Sequence, residues 1–155
     1  MQKKICLLLP LLLPVYTFSF SQTVPGKYVT WSFQSKKISA NTWEIAMTAN
    51  INGNYHLYSQ KAGVEAAPAT VISISPNPLI VVDGNAKEKD ELIKKYESAW
   101  PGTVHYYEKS VEFLQVIKVK AKAKTTFRGN IEYVLCNDAR CLPTASVPFS
   151  IEVGG

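Results

Sequence analysis

From Tyr28 onward the chain alternates between apolar and polar positions. Trp43, Ile45, Met47, Ala49 and Ile51 are interleaved with Glu44, Ala46, Thr48 and Asn50. A period of two puts the apolar set on one face of a half-buried strand. Val111, Phe113, Gln115, Ile117 and Val119 repeat the pattern over a second long strand. Shorter extended runs are expected at Tyr28 to Phe33, Tyr55 to Tyr58, Val71 to Ile74, Leu79 to Val82, Ile131 to Leu135 and Val147 to Val153. Asn52-Gly53-Asn54 and Asp83-Gly84-Asn85 read as turns, and Pro76 and Pro78 end the run before them. Lys87 to Lys95 is the one stretch with helical propensity. It is charged all round apart from Leu92 and Ile93, so a loop or an edge strand suits it equally.

Eight short strands with turns between most of them predict an all-β chain, an immunoglobulin-like antiparallel β-sandwich. Length agrees: 155 residues is the size of one domain. With 46% hydrophobic and 19% charged residues, a disordered tail or an acidic solvating segment is excluded. The first residues belong to a different category. Lys3 and Lys4 precede an apolar run, Ile5 to Val15, and Ser19 and Ser21 offer small residues for a cleavage site. Residues 1–21 are therefore expected to be a secretory signal peptide cleaved after about Ser21, with residues 22–155 as the mature domain. The apolar run is about half of the ~20 residues that a spanning helix needs. Removing residues 1–21 takes away two lysines and no acid, so the net charge falls from +5 to +3 over 134 residues. Lys118, Lys120, Lys122 and Lys124 would share one solvated face of a surface strand, so no nucleic-acid partner is expected.

Export also removes Cys6 and leaves Cys136 and Cys141. In an oxidising compartment an even pair is read first as a disulfide. An antibody-type pair would join an early strand to a late one, whereas these two lie within six residues at the end of a strand. Closing so short a loop stabilises by about 2 kcal/mol, against roughly 4 kcal/mol for a loop spanning half the domain. A strand-end position also lets another thiolate approach a sulfur in line. A purely structural disulfide in a binding or adaptor module is the alternative at this point. A four-ligand metal site using His56 and His105 is weighed and set aside, because the histidines have no paired spacing. Without a Ser-His-Asp set, paired carboxylates or a glycine-rich phosphate loop, hydrolase and nucleotide chemistry have no support. Neither metal nor cofactor is implied. Arg140 beside Cys141 would favour its thiolate and Asp138 would oppose it.

The segments Tyr55-His56-Leu57-Tyr58-Ser59, Pro68-Ala69-Thr70 and Val134-Leu135-Cys136-Asn137-Asp138-Ala139-Arg140-Cys141-Leu142-Pro143 resemble the N-terminal periplasmic domains of thiol:disulfide interchange proteins of the DsbD type. The resemblance runs from about Trp31 to Val153, with the cysteine segment as its specific part. It implies an immunoglobulin-like domain that relays electrons from a thioredoxin-like donor to periplasmic disulfide or cytochrome c maturation proteins. Cys136 and Cys141 would be the redox pair, with Cys141 forming the mixed disulfide and Cys136 resolving it. Trp100 and Gly102, in Tyr96 to Gly102, would belong to a cap over the pair, and Tyr58 would line the pocket beneath. Thr144 stands where many relatives have a second proline. With Gly155 as the last residue, the donor is expected in trans: a thioredoxin-like domain protein, with a membrane electron-conduit protein as a further candidate. If the chain is an enzyme, it is a protein-disulfide reductase or interchange component.

Overall fold

The computed structural model describes residues 20–24, 26–120 and 122–155, and among them there is no helix. Three antiparallel sheets are formed. The first holds β1 (Phe20–Val24), β2 (Val29–Lys37), β3 (Thr42–Ile51), β6 (Ile80–Lys89) and β9 (Ser110–Val119), in the order β1-β2-β3-β9-β6. The second is β12 (Ala145–Val153), β10 (Thr125–Tyr133) and β5 (Val71–Ile74). The third is β11 (Leu135–Cys136), β4 (His56–Tyr58), β8 (Gly102–Glu108) and β7 (Ile93–Glu97).

The first two sheets face one another as a sandwich. Every second residue of β3 and β9 is buried, as the alternation requires, and Trp31 and Phe33 of β2 add to that face. They meet Phe127 and Ile131 of β10 and Val147, Phe149 and Ile151 of β12 in one apolar cluster. Aromatic contacts cross the gap, with Phe33 and Phe149 centroids 5.3 Å apart and Trp31 and Tyr133 also 5.3 Å apart. Gln115 is the polar exception among these inward residues. Its side-chain amide donates to the carbonyls of Asp83, Gly84 and Val116, which satisfies it where water cannot reach.

The third sheet grows from the end of this sandwich. β4 follows β3 across the Asn52-Gly53 turn, where Gly53 has φ +70°. β8 runs into β9 through Lys109, and β11 continues β10 past Val134. Glu88 of β6 ties the sheets together. Its carboxylate accepts hydrogen bonds from Ser59 Oγ (2.7 Å), the Gln60 amide (2.6 Å) and Tyr107 Oη (2.8 Å).

The antiparallel all-β sandwich stands as expected, three details differ from the sequence reading, and one open alternative is decided. Asp83-Gly84-Asn85 lies inside β6 as a bulge, with the register shifting between Asp83 and Lys87 and Gly84 at φ +64°. Of the alternatives open for Lys87 to Lys95, the edge strand is the one adopted: the stretch ends one edge strand, β6, and begins another, β7, with Asp90 at φ 114° between them. Charged edges of this kind discourage pairing with other chains. β9 stops at Val119, so Lys120, Lys122 and Lys124 lie in the connection to β10 and share no strand face with Lys118. The Ile131 to Leu135 run divides between β10 and β11. The expected signal segment lies outside the described residues up to residue 19, while Phe20 and Ser21 form the start of β1.

Gly129 of β10 sits between β12 and β5, where a Cβ would come to 2.4 Å from Phe149 Cζ and 2.5 Å from the Ser73 carbonyl oxygen. Gly129→Ala is expected to destabilise the domain by about 1–3 kcal/mol through overpacking. Urea unfolding measures it, and a midpoint equal to wild type would show that the strands yield freely there.

Candidate functional site: a cysteine hairpin beside a buried aromatic cluster

Cys136 and Cys141 face each other across a tight hairpin and are joined as a disulfide, with Cα atoms 4.0 Å apart. The backbone explains why they meet. The Asn137 amide donates to the Arg140 carbonyl (2.9 Å) and the Leu142 amide to the Leu135 carbonyl (2.8 Å). Those bonds flank the cysteines and make them a non-hydrogen-bonded cross-strand pair, the closely spaced kind. Asn137 Oδ1 accepts from the amides of Ala139 (3.0 Å) and Arg140 (2.9 Å), an Asx turn that shapes the loop. The two cysteines differ in surroundings: Cys136 is buried, and Cys141 is exposed.

Cys136 owes its burial to strand register. It pairs with His56 of β4, which pairs with Glu108 of β8, while Tyr58 pairs with Tyr106 and Tyr106 with Ile93. Paired residues share a face of the sheet. One face, with Leu57, Tyr107 and Leu135, joins the main core. The opposite face forms a second cluster in which Cys136, Tyr58, Tyr106, Val104, Ala62 and Ala67 are buried, and Trp100 packs against it.

Trp100, from the turn between β7 and β8, is half-buried and donates from Nε1 to Tyr58 Oη (3.0 Å). Tyr58 Oη in turn donates to Glu97 Oε2 (3.0 Å). Burial, followed by this bond to Glu97, pushes the Tyr58 hydroxyl well above its ordinary range, so it remains a neutral donor. Gly102 begins β8 opposite Glu97, and a Cβ there would reach Val64 Cγ1 at 3.0 Å. Its close approach is to Val64, which also packs on the second cluster.

The structure thus brings Tyr58 and Trp100 to the Cys136 side of the pair, and places Gly102 at the base of the turn that carries Trp100. Cys141 stays exposed with Trp100 in this position. The charges flanking Cys141 have other partners. Arg140 Nη2 reaches Tyr55 Oη at 3.5 Å, and Asp138 lies 3.6 Å from Lys95 Nζ of β7 in an exposed pair. His105 occupies the face opposite His56 and lies 3.0 Å, through Nδ1, from the Lys61 carbonyl, so the two histidines cannot converge with the cysteines on a metal.

Two residues of the site have a placement that the sequence did not assign to them. His56 is only 6% exposed and its ring lies 4.2 Å from that of Tyr106 and 5.1 Å from that of Tyr58. Its Nε2 has no hydrogen-bond partner and sits 3.9 Å from Glu97 Oε1, too long for a hydrogen bond. His56 shares the parity of Tyr58, and that was the available signal. Glu97 had none, because its strand was unrecognised.

No protein-family model and no curated protein matches the chain. Solved structures do. The N-terminal domain of DsbD from Neisseria meningitidis, in the reduced form, is similar with a TM-score of 0.52 at 15% identity, over 83% of this chain and 86% of that one. The N-terminal periplasmic domain of ScsB from Proteus mirabilis gives 0.55 at 13% identity, over 89% of this chain and 51% of that one. The chain thus spans about half the length of that ScsB chain. At such identities the likeness establishes a shared fold, the one implied by the cysteine segment and its companion motifs.

Burial holds the His56 imidazole below its ordinary 6.5, against the opposing pull of Glu97, Glu108 and Asp138. Between the folded and unfolded values the unfolded chain binds a proton that the folded one does not. Stability is therefore expected to fall as the pH drops through 6.5. Thermal melts between about pH 7.5 and about pH 5 should show a steeper loss for wild type than for His56→Phe, which has no such group. Parallel curves would contradict it.

Proposed function

We propose that the domain is exported to the periplasm and exchanges its Cys136–Cys141 disulfide with thioredoxin-like partners. The observation that carries this reading is the asymmetry of the pair: one cysteine is exposed and the other is buried within an aromatic cluster. In the receiving half-reaction a partner thiolate attacks Cys141 Sγ, the disulfide breaks, and Cys136 leaves with the electron pair and takes up a proton. The partner's second thiolate then attacks its own sulfur in the mixed disulfide and releases Cys141. Two electrons and two protons reach the domain, and the partner becomes a disulfide. Running the steps backward reduces an acceptor.

Three features support the reading beyond the geometry. The similar ScsB domain is described as periplasmic, and the similar DsbD domain is described in a reduced form, a state that an exchanging pair must visit. The residues before Gln22 have the composition of an export signal, and cleavage after Ser21 would leave Gln22, Thr23 and Val24 paired with β2. By the motif resemblance, the acceptors are disulfide isomerases or cytochrome c maturation proteins. The donor is a thioredoxin-like domain, fed in turn by a membrane electron conduit.

Trp100 serves in this account as a cap on the Cys136 side, hung on Tyr58 and Glu97. Trp100→Ala is expected to raise the alkylation rate of the reduced thiols by several-fold, because the loss of the ring opens the cluster to reagent. An unchanged rate removes the cap. Cys136→Ser should trap partners through Cys141, and mass spectrometry of the adducts should return thioredoxin-like proteins. A wild type that is reduced while its Cys136→Ser variant traps nothing would contradict the assignment of Cys141 as the attacked sulfur.

A further inference from the structure

We propose that His56 relays the thiol proton of Cys136 to and from solvent, accepting it from the sulfur when the pair closes and delivering one taken from solvent when the pair opens. The proposal rests on the exchange reading and adds a residue to it. His56 and Cys136 are direct partners in the β4–β11 ladder, so their side chains leave the same face of the sheet from neighbouring strands. The imidazole packs on Tyr106 in a tilted contact and meets Tyr58 edge to face. Despite this burial, Nε2 is left without a partner. Trp31 Nε1 in the main core is the other buried side-chain nitrogen without a partner among the described residues, but only the His56 nitrogen belongs to a residue paired with a cysteine. In the disulfide neither sulfur bears a proton, whereas reduction places an S–H group on Cys136 and supplies what the ring lacks.

The charged groups facing His56 come from three elements. Glu97 and Lys95 lie on β7, Glu108 on β8 and Asp138 in the hairpin turn; the three acids favour the imidazolium and Lys95 opposes it. Tyr58 and Tyr106 remain neutral hydroxyls. Burial outweighs the acids and keeps the ring neutral at rest, ready to accept a proton, while Glu97 stabilises the imidazolium once it forms.

The need arises in the closing step. Cys141 thiolate attacks an acceptor disulfide, and the acceptor's first sulfur leaves as a thiolate. Cys136 must then become a nucleophile within an apolar cluster, where a thiolate unaided is disfavoured. His56 takes the Cys136 proton as that sulfur attacks Cys141 Sγ. The Cys136–Cys141 bond forms, the bond from Cys141 to the acceptor breaks, and the acceptor's second sulfur departs with the electron pair. His56 passes its proton to solvent and the acceptor thiolates are protonated from solvent. The domain loses two electrons and two protons, and the acceptor gains both.

The full chain carrying Cys6→Ser, reduced and mixed with excess oxidised glutathione, separates the two steps. Acid quenching and mass spectrometry follow formation and then closure of the glutathione adduct on Cys141 as a function of pH. His56→Phe keeps the aromatic packing and is expected to slow closure about a hundredfold near neutral pH, the low end of the range for a positioned base. Its closure rate should also rise steadily with pH, where wild type shows an inflection from the imidazole. Glu97→Gln should move that inflection to lower pH. His56→Gln, which keeps a polar side chain, gives the same expectation should the Phe variant fold poorly. A slowing confined to closure supports the proposal, because general loosening of the fold would not select one step. Wild-type closure rates and pH slope in both His56 variants would overturn it while leaving exchange intact. A wild type that forms no adduct and is not reduced by a dithiol would overturn both.

Discussion

The site depends on the alternation of two consecutive residues, Leu135 and Cys136, across a thin sheet. In a strand, neighbours point to opposite faces. Leu135 therefore enters the sandwich core, while Cys136 enters the aromatic cluster on the other side. The pairing of these two residues with Leu57 and His56 fixes the register, and a slip by one position would exchange the faces. From that constraint follow the burial of Cys136, its neighbours, and the location of Cys141 at the surface end of the hairpin.

The third sheet would be a poor scaffold by itself, because β11 has two residues and β4 three. It is steadied in two ways. Leu57, Tyr107 and Leu135 contribute to the main core, so apolar burial anchors one face. Glu88, reaching from β6, gathers Ser59, the Gln60 amide and Tyr107, so the end of β4 is tied to the large sheet by charge-assisted bonds. On the other face, the chain from Trp100 through Tyr58 to Glu97 links the β7–β8 turn to the cluster around Cys136.

Much of this was legible in the residues. The alternations in β3 and β9 named the inward side chains, including Gln115, and the cysteine segment located the hairpin. What escaped reading has physical reasons. β7 carries Lys94 and Lys95 and is exposed over most of its length, so its apolar signal is weak, and the edge position that explains this is a property of the sheet. Gly84 signals a turn and a bulge equally well, since both need positive φ. His56 was weighed from sequence only as a metal ligand, because its place depends on the ladder partner, Cys136, 80 positions away. Glu97 acquires its role through Tyr58 and His56, contacts made only in the assembled sheet.

The central claim is that the disulfide opens and closes in the folded domain. Equilibration across a series of glutathione redox buffers, with thiol content and near-ultraviolet circular dichroism read on the same samples, tests it most directly. The account expects a reversible two-electron transition in thiol content while the aromatic signature of a packed core persists. Thiols that appear only together with loss of that signature would mark the disulfide as structural and contradict the account.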